Sequence, residues 1–162
     1  LQADHFRQGE HLNSYCALND VVINKRNIPR LIELVASVND IPLNNYLADG
    51  LIVSTPTGST AYSLSAGGPI LEPEIEAVTM TPICPHTLTH RPIVLSSESK
   101  IKIQLVSEDR KAFLTLDGQV NDSICFEDEI VIRKSDHNAR IIINPENRFF
   151  QVLSHKLKWG SR

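Results

Sequence analysis

Lys100-Ile101-Lys102-Ile103-Gln104-Leu105 alternates polar and apolar residues without a break, which predicts a strand with one wet and one buried face. Short β-branched or alternating runs recur along the chain. Tyr15 to Leu18 leads through Asn19-Asp20 into Val21-Val22-Ile23, and Leu31 to Val38 turns at Asn39-Asp40 into Ile41 to Leu47 as a hairpin. Asp49-Gly50 then turns the chain into Leu51 to Ser54, and Ala112 to Leu116, Glu129 to Arg133 and Ala139 to Ile143 complete a set of about nine strands. Helical patterning is confined to a short stretch after Gly58, carrying Ser59 to Ser63, and to a C-terminal segment from Asn147 in which Phe149, Phe150, Val152 and Leu153 cluster. Strand following strand without a crossover helix predicts a mainly β chain, a layered antiparallel β-sandwich. The boundaries expected are a sandwich over 1–145 and a helical segment over 146–162.

Composition agrees with an ordinary folded domain. The 162 residues are 41% hydrophobic and 22% charged, enough for one core and too few for two full domains. The formal net charge of −3 comes without a basic block, so a large nucleic-acid footprint is excluded. Apolar runs such as Gly50 to Val53 fall far short of the roughly 20 residues that cross a bilayer. LQADHFRQGEHL lacks the apolar core of a secretion signal, and a cytoplasmic location is the expectation. Cys16, Cys84 and Cys125 are odd in number and widely spaced, which predicts reduced cysteines in or near the core.

The densest candidate chemistry lies in Ala48-Asp49-Gly50-Leu51-Ile52-Val53-Ser54-Thr55-Pro56-Thr57-Gly58-Ser59-Thr60-Ala61-Tyr62-Ser63. A turn, a buried strand and a hydroxyl-rich glycine loop opening a helix would present N–H groups and oxygens to a polar ligand such as a nucleotide or sugar. No P-loop is present, and no lysine stands in the stretch to meet a phosphate. The alternative is that Thr57 or Ser59 only caps a helix and Gly58 only turns the chain. Asn19-Asp20, set inside an apolar run, calls for a partner, since a buried unpaired polar group costs about 1–3 kcal/mol. A nucleoside suits the amide and carboxylate, while an edge strand that wets them would serve equally. Asp117-Gly118 is a turn signal. His86 and His90 have the spacing of zinc ligands on a helix, but the flanking Pro85 and Pro92 disfavour that helix and the metal reading with it.

Taken together, Ala17-Leu18-Asn19-Asp20, the run from Asp49 to Ser63 with Ala66-Gly67-Gly68-Pro69, the segment Pro85-His86-Thr87-Leu88, and Asp117-Gly118-Gln119 resemble the C-terminal domain of bacterial NAD kinases, in order and spacing and over nearly the whole chain. That resemblance implies ATP-dependent phosphorylation of the 2′-hydroxyl of the adenosine ribose of NAD to give NADP, with a divalent metal ion, Mg, accompanying ATP. It implies that Asn19 and Asp20 hold the adenosine, the amide at the base and the acid at the ribose. Asp49 would contact a base or carboxamide, and Thr60, Ala61, Tyr62, Ser63 and Ser65 would line the site, with Gln119 and Arg30 as further contacts. The family's catalytic base lies in a Gly-Gly-Asp-Gly motif of an N-terminal α/β domain, and this chain contains no such motif. The expected partners are NAD, ATP, that N-terminal domain and further copies in a homo-oligomer, with neither nucleic acid nor membrane. The C-terminal segment would pack on the N-terminal domain through Phe149, Phe150, Leu153, Leu157 and Trp159. The chain alone is expected to be inactive. The rival expectation is a non-catalytic β-sandwich that binds a nucleotide or a protein for regulation. The related lipid kinases fit less well, because the hydroxyl-rich loop from Thr57 to Ser65 suits a dinucleotide better than an acyl chain.

Overall fold

The computed structural model describes residues 1–25, 30–108, 111–142, 144 and 148–159. Among the described residues, twelve strands form two six-stranded antiparallel sheets. The first sheet has the order β2 (Glu10–Cys16), β1 (Gln2–Arg7), β12 (Glu129–Arg133), β9 (Ile101–Leu105), β4 (Ile32–Val38), β5 (Ile41–Ala48). The second runs β11 (Val120–Ile124), β10 (Ala112–Leu116), β3 (Asp20–Lys25), β6 (Gly50–Ser54), β7 (Ala77–Ile83), β8 (Ile93–Ser96). The chain passes back and forth between the sheets, and their inner faces share one core. Ala3, Ile32, Leu34, Ile101, Ile103, Ile130 and Ile132 of the first sheet meet Val21, Ile23, Leu51, Val53, Met80, Leu114 and Ile124 of the second. The predicted alternation is visible in β9 and β10, where every second residue is buried. The β4–β5 hairpin turns at Asn39 and Asp40, both at positive φ (51° and 63°), as a two-residue turn matched to the strand twist requires.

The second sheet is also covered on its outer side. Val22, Ile52 and Ile83 form a small second cluster with Ala66 against them, beneath a segment made of one 3₁₀ turn (Thr57–Thr60) and α1 (Tyr62–Ser65). The single short helix expected after Gly58 is therefore two turns, broken at Ala61 (φ −94°, ψ −128°). Neither Thr57 nor Ser59 caps it; Thr55 Oγ1 accepts the Gly58 N–H at 3.0 Å instead. Cover on both faces explains why β7 is buried throughout despite Thr79, Thr81 and Pro82, a pattern without alternation. Pro82 stands beyond the stretch of β7 that pairs with β8, where no ladder N–H is needed.

Other expectations need correction. Ala139 to Ile142 form no strand, and Ile143 lies outside the described residues; with β2 and β5 as the edges of the first sheet and β11 and β8 as those of the second, this run is paired with neither, and Ile142 is fully exposed. Cys16 and Cys84 are exposed rather than in the core, the first at the end of an edge strand and the second on a turn at φ 44°. The C-terminal helix is present as α2 (Phe149–Lys156), with Asn147 outside the described residues. No described helix is long and apolar enough to cross a membrane.

Candidate functional site

Asn19 and Asp20 do not interrupt a strand. They occupy the corner at which the chain leaves β2 in one sheet and enters β3 in the other. Such a corner loses its ladder partners, and neighbouring segments supply them. Thr55 donates its N–H to Asn19 O at 2.9 Å and its hydroxyl to Leu18 O at 2.7 Å. Gly58 presses so close that an added Cβ would lie 2.0 Å from Asn19 O, so only glycine lets the loop seat there. From the other side Asp117, at φ 50° in the β10–β11 turn, receives the backbone N–H groups of Leu18, Asn19 and Asp20 at 2.8, 2.7 and 3.0 Å.

This corner opens onto a groove of about 320 Å³ lined by Asn19, Asp20, Val22, Asn24, Ala61, Tyr62, Thr115, Asp117 and Gly118. Its floor is the outer face of β3, where Asp20, Val22 and Asn24 point the same way. Asp20 is only 4% exposed, and burial, reinforced by the nearby charge of Asp117, pushes its carboxyl above the usual range. Asn24 Oδ1 is buried without a hydrogen-bond partner among the described residues. Tyr62, by contrast, is 45% exposed at the rim.

Of the expected site residues, the fold brings Asn19, Asp20, Ala61 and Tyr62 to one groove. Thr60 and Ser65 are exposed on the segment beside it. Ser63 is fully buried, its hydroxyl 3.0 Å from Thr81 Oγ1 and 3.4 Å from Thr79 Oγ1, so it ties α1 to β7. Gln119 is exposed on the turn that carries Asp117 and Gly118. Asp49 stands apart. It pairs with Lys25 at 2.6 Å, at the end of β3 opposite Asp20, about 17 Å away at the rise of a strand. Arg30 is exposed and does not line the groove. Asn24 and Thr115 were missed as site residues, and Asp117 entered only with the Asp117-Gly118-Gln119 segment, without an assigned contact. The first two lie within apolar strand patterns, and Asp117 reads locally as a turn.

The groove's chemistry is selective. Two carboxyl groups, two amides, the Thr115 hydroxyl and the Tyr62 phenol line it, and none of the described lining residues is Lys, Arg or His. Such walls accept hydrogen bonds from hydroxyl and amino groups and repel phosphate. A second recess, of about 780 Å³, is shaped by α2 and the turn after it, through Phe150, Gln151, Ser154, His155, Lys158 and Trp159, and has no carboxylate among its described lining residues.

The class of molecule defined by fold and groove is a β-sandwich with an acid-floored groove at a sheet-crossing corner, whose lining can accept hydrogen bonds from uncharged polar groups. Residues 18–143 match the family model of the ATP-NAD kinase C-terminal domain, and the chain belongs to that family. It is 51% identical over 156 residues to an NAD kinase of Geobacter sulfurreducens, covering 96% of this chain and 55% of the relative. It is also 51% identical to an NAD kinase of Koribacter versatilis, covering 100% of this chain and 56% of that one. The chain thus spans little more than half the length of these relatives. Among solved structures, yeast NADH kinase complexed with NADH aligns with TM-score 0.89 at 29% identity, over 99% of this chain and 49% of that one. An NAD kinase from Archaeoglobus fulgidus in complex with ATP aligns with TM-score 0.78 at 30% identity, over 97% and 58%.

Proposed function

We propose that this chain is the dinucleotide-binding half of an NAD kinase, the enzyme that transfers a phosphoryl group from ATP to the 2′-hydroxyl of the adenosine ribose of NAD. The observation that carries the reading is the union of Asn19, Asp20, Ala61 and Tyr62, drawn from separate segments, in one groove whose described lining residues include no cation. In this reading the Asn19 amide pairs with the base, the Asp20 carboxyl accepts from ribose hydroxyls, and the Tyr62 ring covers the nucleoside. Asp49 reads a base or carboxamide at the far end of β3, with Thr60, Ser65 and Gln119 completing the rim and Arg30 a more distant contact. Relatives solved with NADH and with ATP support nucleotide binding by this fold.

The described residues contain no group of three or more His, Cys, Asp or Glu side chains able to hold a metal, and both Asp117 oxygens are engaged by backbone N–H groups. A divalent ion therefore does not fit the groove. We assign it to the phosphates of ATP, as part of the donor, and no step on these residues runs through it. The base that removes the 2′-hydroxyl proton belongs to a segment outside these 162 residues, as does the partner surface for the 146–162 segment. Isothermal calorimetry with NAD tests the reading: saturable binding, lost in Asp20→Ala, is expected, and no heat of binding at millimolar NAD overturns it.

A further inference from the structure

The β10–β11 turn does more than reverse the chain. Asp117 sends its side chain back across the corner between β2 and β3, a contact spanning 97 to 99 residues of sequence. Its Oδ1 accepts from both Asn19 and Asp20 N–H, its Oδ2 accepts from Leu18 N–H, and its own N–H donates to Asp20 O at 3.1 Å. Thr55 holds the carbonyls of the same corner from the opposite side. Three consecutive N–H groups converging on one carboxylate form a rigid cradle, and a charged acceptor is stronger there than a neutral one. The same turn brings Gly118 to the groove wall and carries Gln119.

The geometry assigns to Asp117 the role of a positioning residue: it fixes the backbone of Asn19 and Asp20 so that their side chains face the groove, and it locks that pair to the turn bearing Gln119. This role rests on the nucleoside-binding reading of the groove. It demands that the anchor be an acid. In Asp117→Asn one oxygen can still accept from Asn19 and Asp20, but the new NH2 group would oppose the Leu18 N–H. Loss of the carboxylate also removes the charge next to Asp20. The titratable groups lining the groove are Asp20, Asp117 and Tyr62, with the Leu1 amino group near Asp117; once Asp117 is replaced, Asp20 is the carboxyl left in the described lining, so a change in the acid range of the variants reports on it.

The experiment compares the full chain with Asp117→Asn and Asp117→Ala by amide NMR without ligand and by NAD calorimetry across pH, after thermal unfolding has shown each variant folded. The Leu18, Asn19 and Asp20 amide protons are expected to move upfield in both variants. NAD affinity is expected to fall about tenfold or more, with the acid limb of its pH profile displaced to lower pH as Asp20 loses a like-charged neighbour. Unmoved amides, or NAD affinity and pH profile unchanged in Asp117→Asn, overturn the role. A wild-type chain that binds no NAD removes the nucleoside reading and the positioning role with it. Should Asp117→Ala unfold, Asp117→Asn alone decides.

Discussion

At the scale of single residues the groove keeps a buried acid at a cost in stability. Asp20 has its carboxyl pushed up by burial and then by Asp117. The unfolded chain therefore releases this proton at lower pH than the folded one, and stability is lost as pH rises from the ordinary carboxylate value through the raised one. Asp20→Asn keeps the shape without the charge. It is expected to raise the melting temperature at neutral pH, at about 2–4 °C for each kcal/mol in a chain of this size, with the gain vanishing on acidification. Calorimetry should show the same variant binding NAD about tenfold or more weakly. Tyr62 offers a second test. Its half-exposed ring lines the groove, so Tyr62→Ala is expected to lose more NAD affinity than Tyr62→Phe; equal losses would make the hydroxyl the working part. The sequence makes Asn19, Asp20, Ala61 and Tyr62 legible because each belongs to a local motif. Asp117 is not legible in this way, since its partners lie 97 or more residues away and its neighbours spell an ordinary turn.

At the scale of elements, what alternation reveals depends on which faces are dry. β9 was legible from strict alternation, and β3, β4, β5, β6, β10 and β12 from β-branched or apolar runs bounded by turns, while β1 and β11 were hidden by the polar residues that join the two sheets. His5 of β1 sits 1% exposed with Nδ1 2.9 Å from Asp122 of β11 and Nε2 2.9 Å from Asp128 before β12. Arg7 donates twice to Asp128 at 2.8 Å, and Tyr15 donates to Asp122 at 2.8 Å. As isolated letters, His5, Arg7 and Asp122 look like loop; in the fold they are an inter-sheet tie. Burial opposes ionisation of Asp128, but Arg7, the Cys125 N–H and His5 outweigh it and hold the carboxyl below the usual range. For Asp122 burial is likewise outweighed, by His5, Tyr15 and the Ser123 N–H. Both acids thus contribute stability that is present above the ordinary carboxylate value and lost as pH falls through their lowered ones. Urea unfolding at a series of acid pH values should show this loss. Asp128→Ala should flatten it while costing about 1–3 kcal/mol at neutral pH, the cost of leaving the buried His5 Nε2 and the Cys125 N–H without their partner, since Arg7 is half-exposed and can turn to water. An unchanged acid slope in that variant would mean that the tie is not the acid-sensitive element.

At the scale of the whole molecule the question is where a base for the 2′-hydroxyl could come from. Transfer to a ribose hydroxyl needs a positioned proton acceptor beside it. Asp20 and Asp117 are the carboxylates of the groove. Asp117 is committed to three backbone N–H groups, and Asp20 is the acid assigned to the ribose as a binding group. Asp49 is paired with Lys25 at the other end of β3. The chain also spans 55% of its Geobacter sulfurreducens relative, and α2 with the turn after it displays Phe150 and Trp159 at 65% and 57% exposure, more apolar surface than a finished helix face usually leaves in water. The expected outcome is that these 162 residues bind NAD but form no NADP from ATP. Adding the N-terminal portion of the kinase, fused or in trans, should restore turnover and bury Phe150 and Trp159, which tryptophan fluorescence would follow as a blue shift. The assay is NADP formation coupled to an NADP-specific dehydrogenase. Turnover by the 162-residue chain alone, abolished in Asp20→Ala while NAD still binds, would place the base in this groove and make Asp20 the residue that takes the proton.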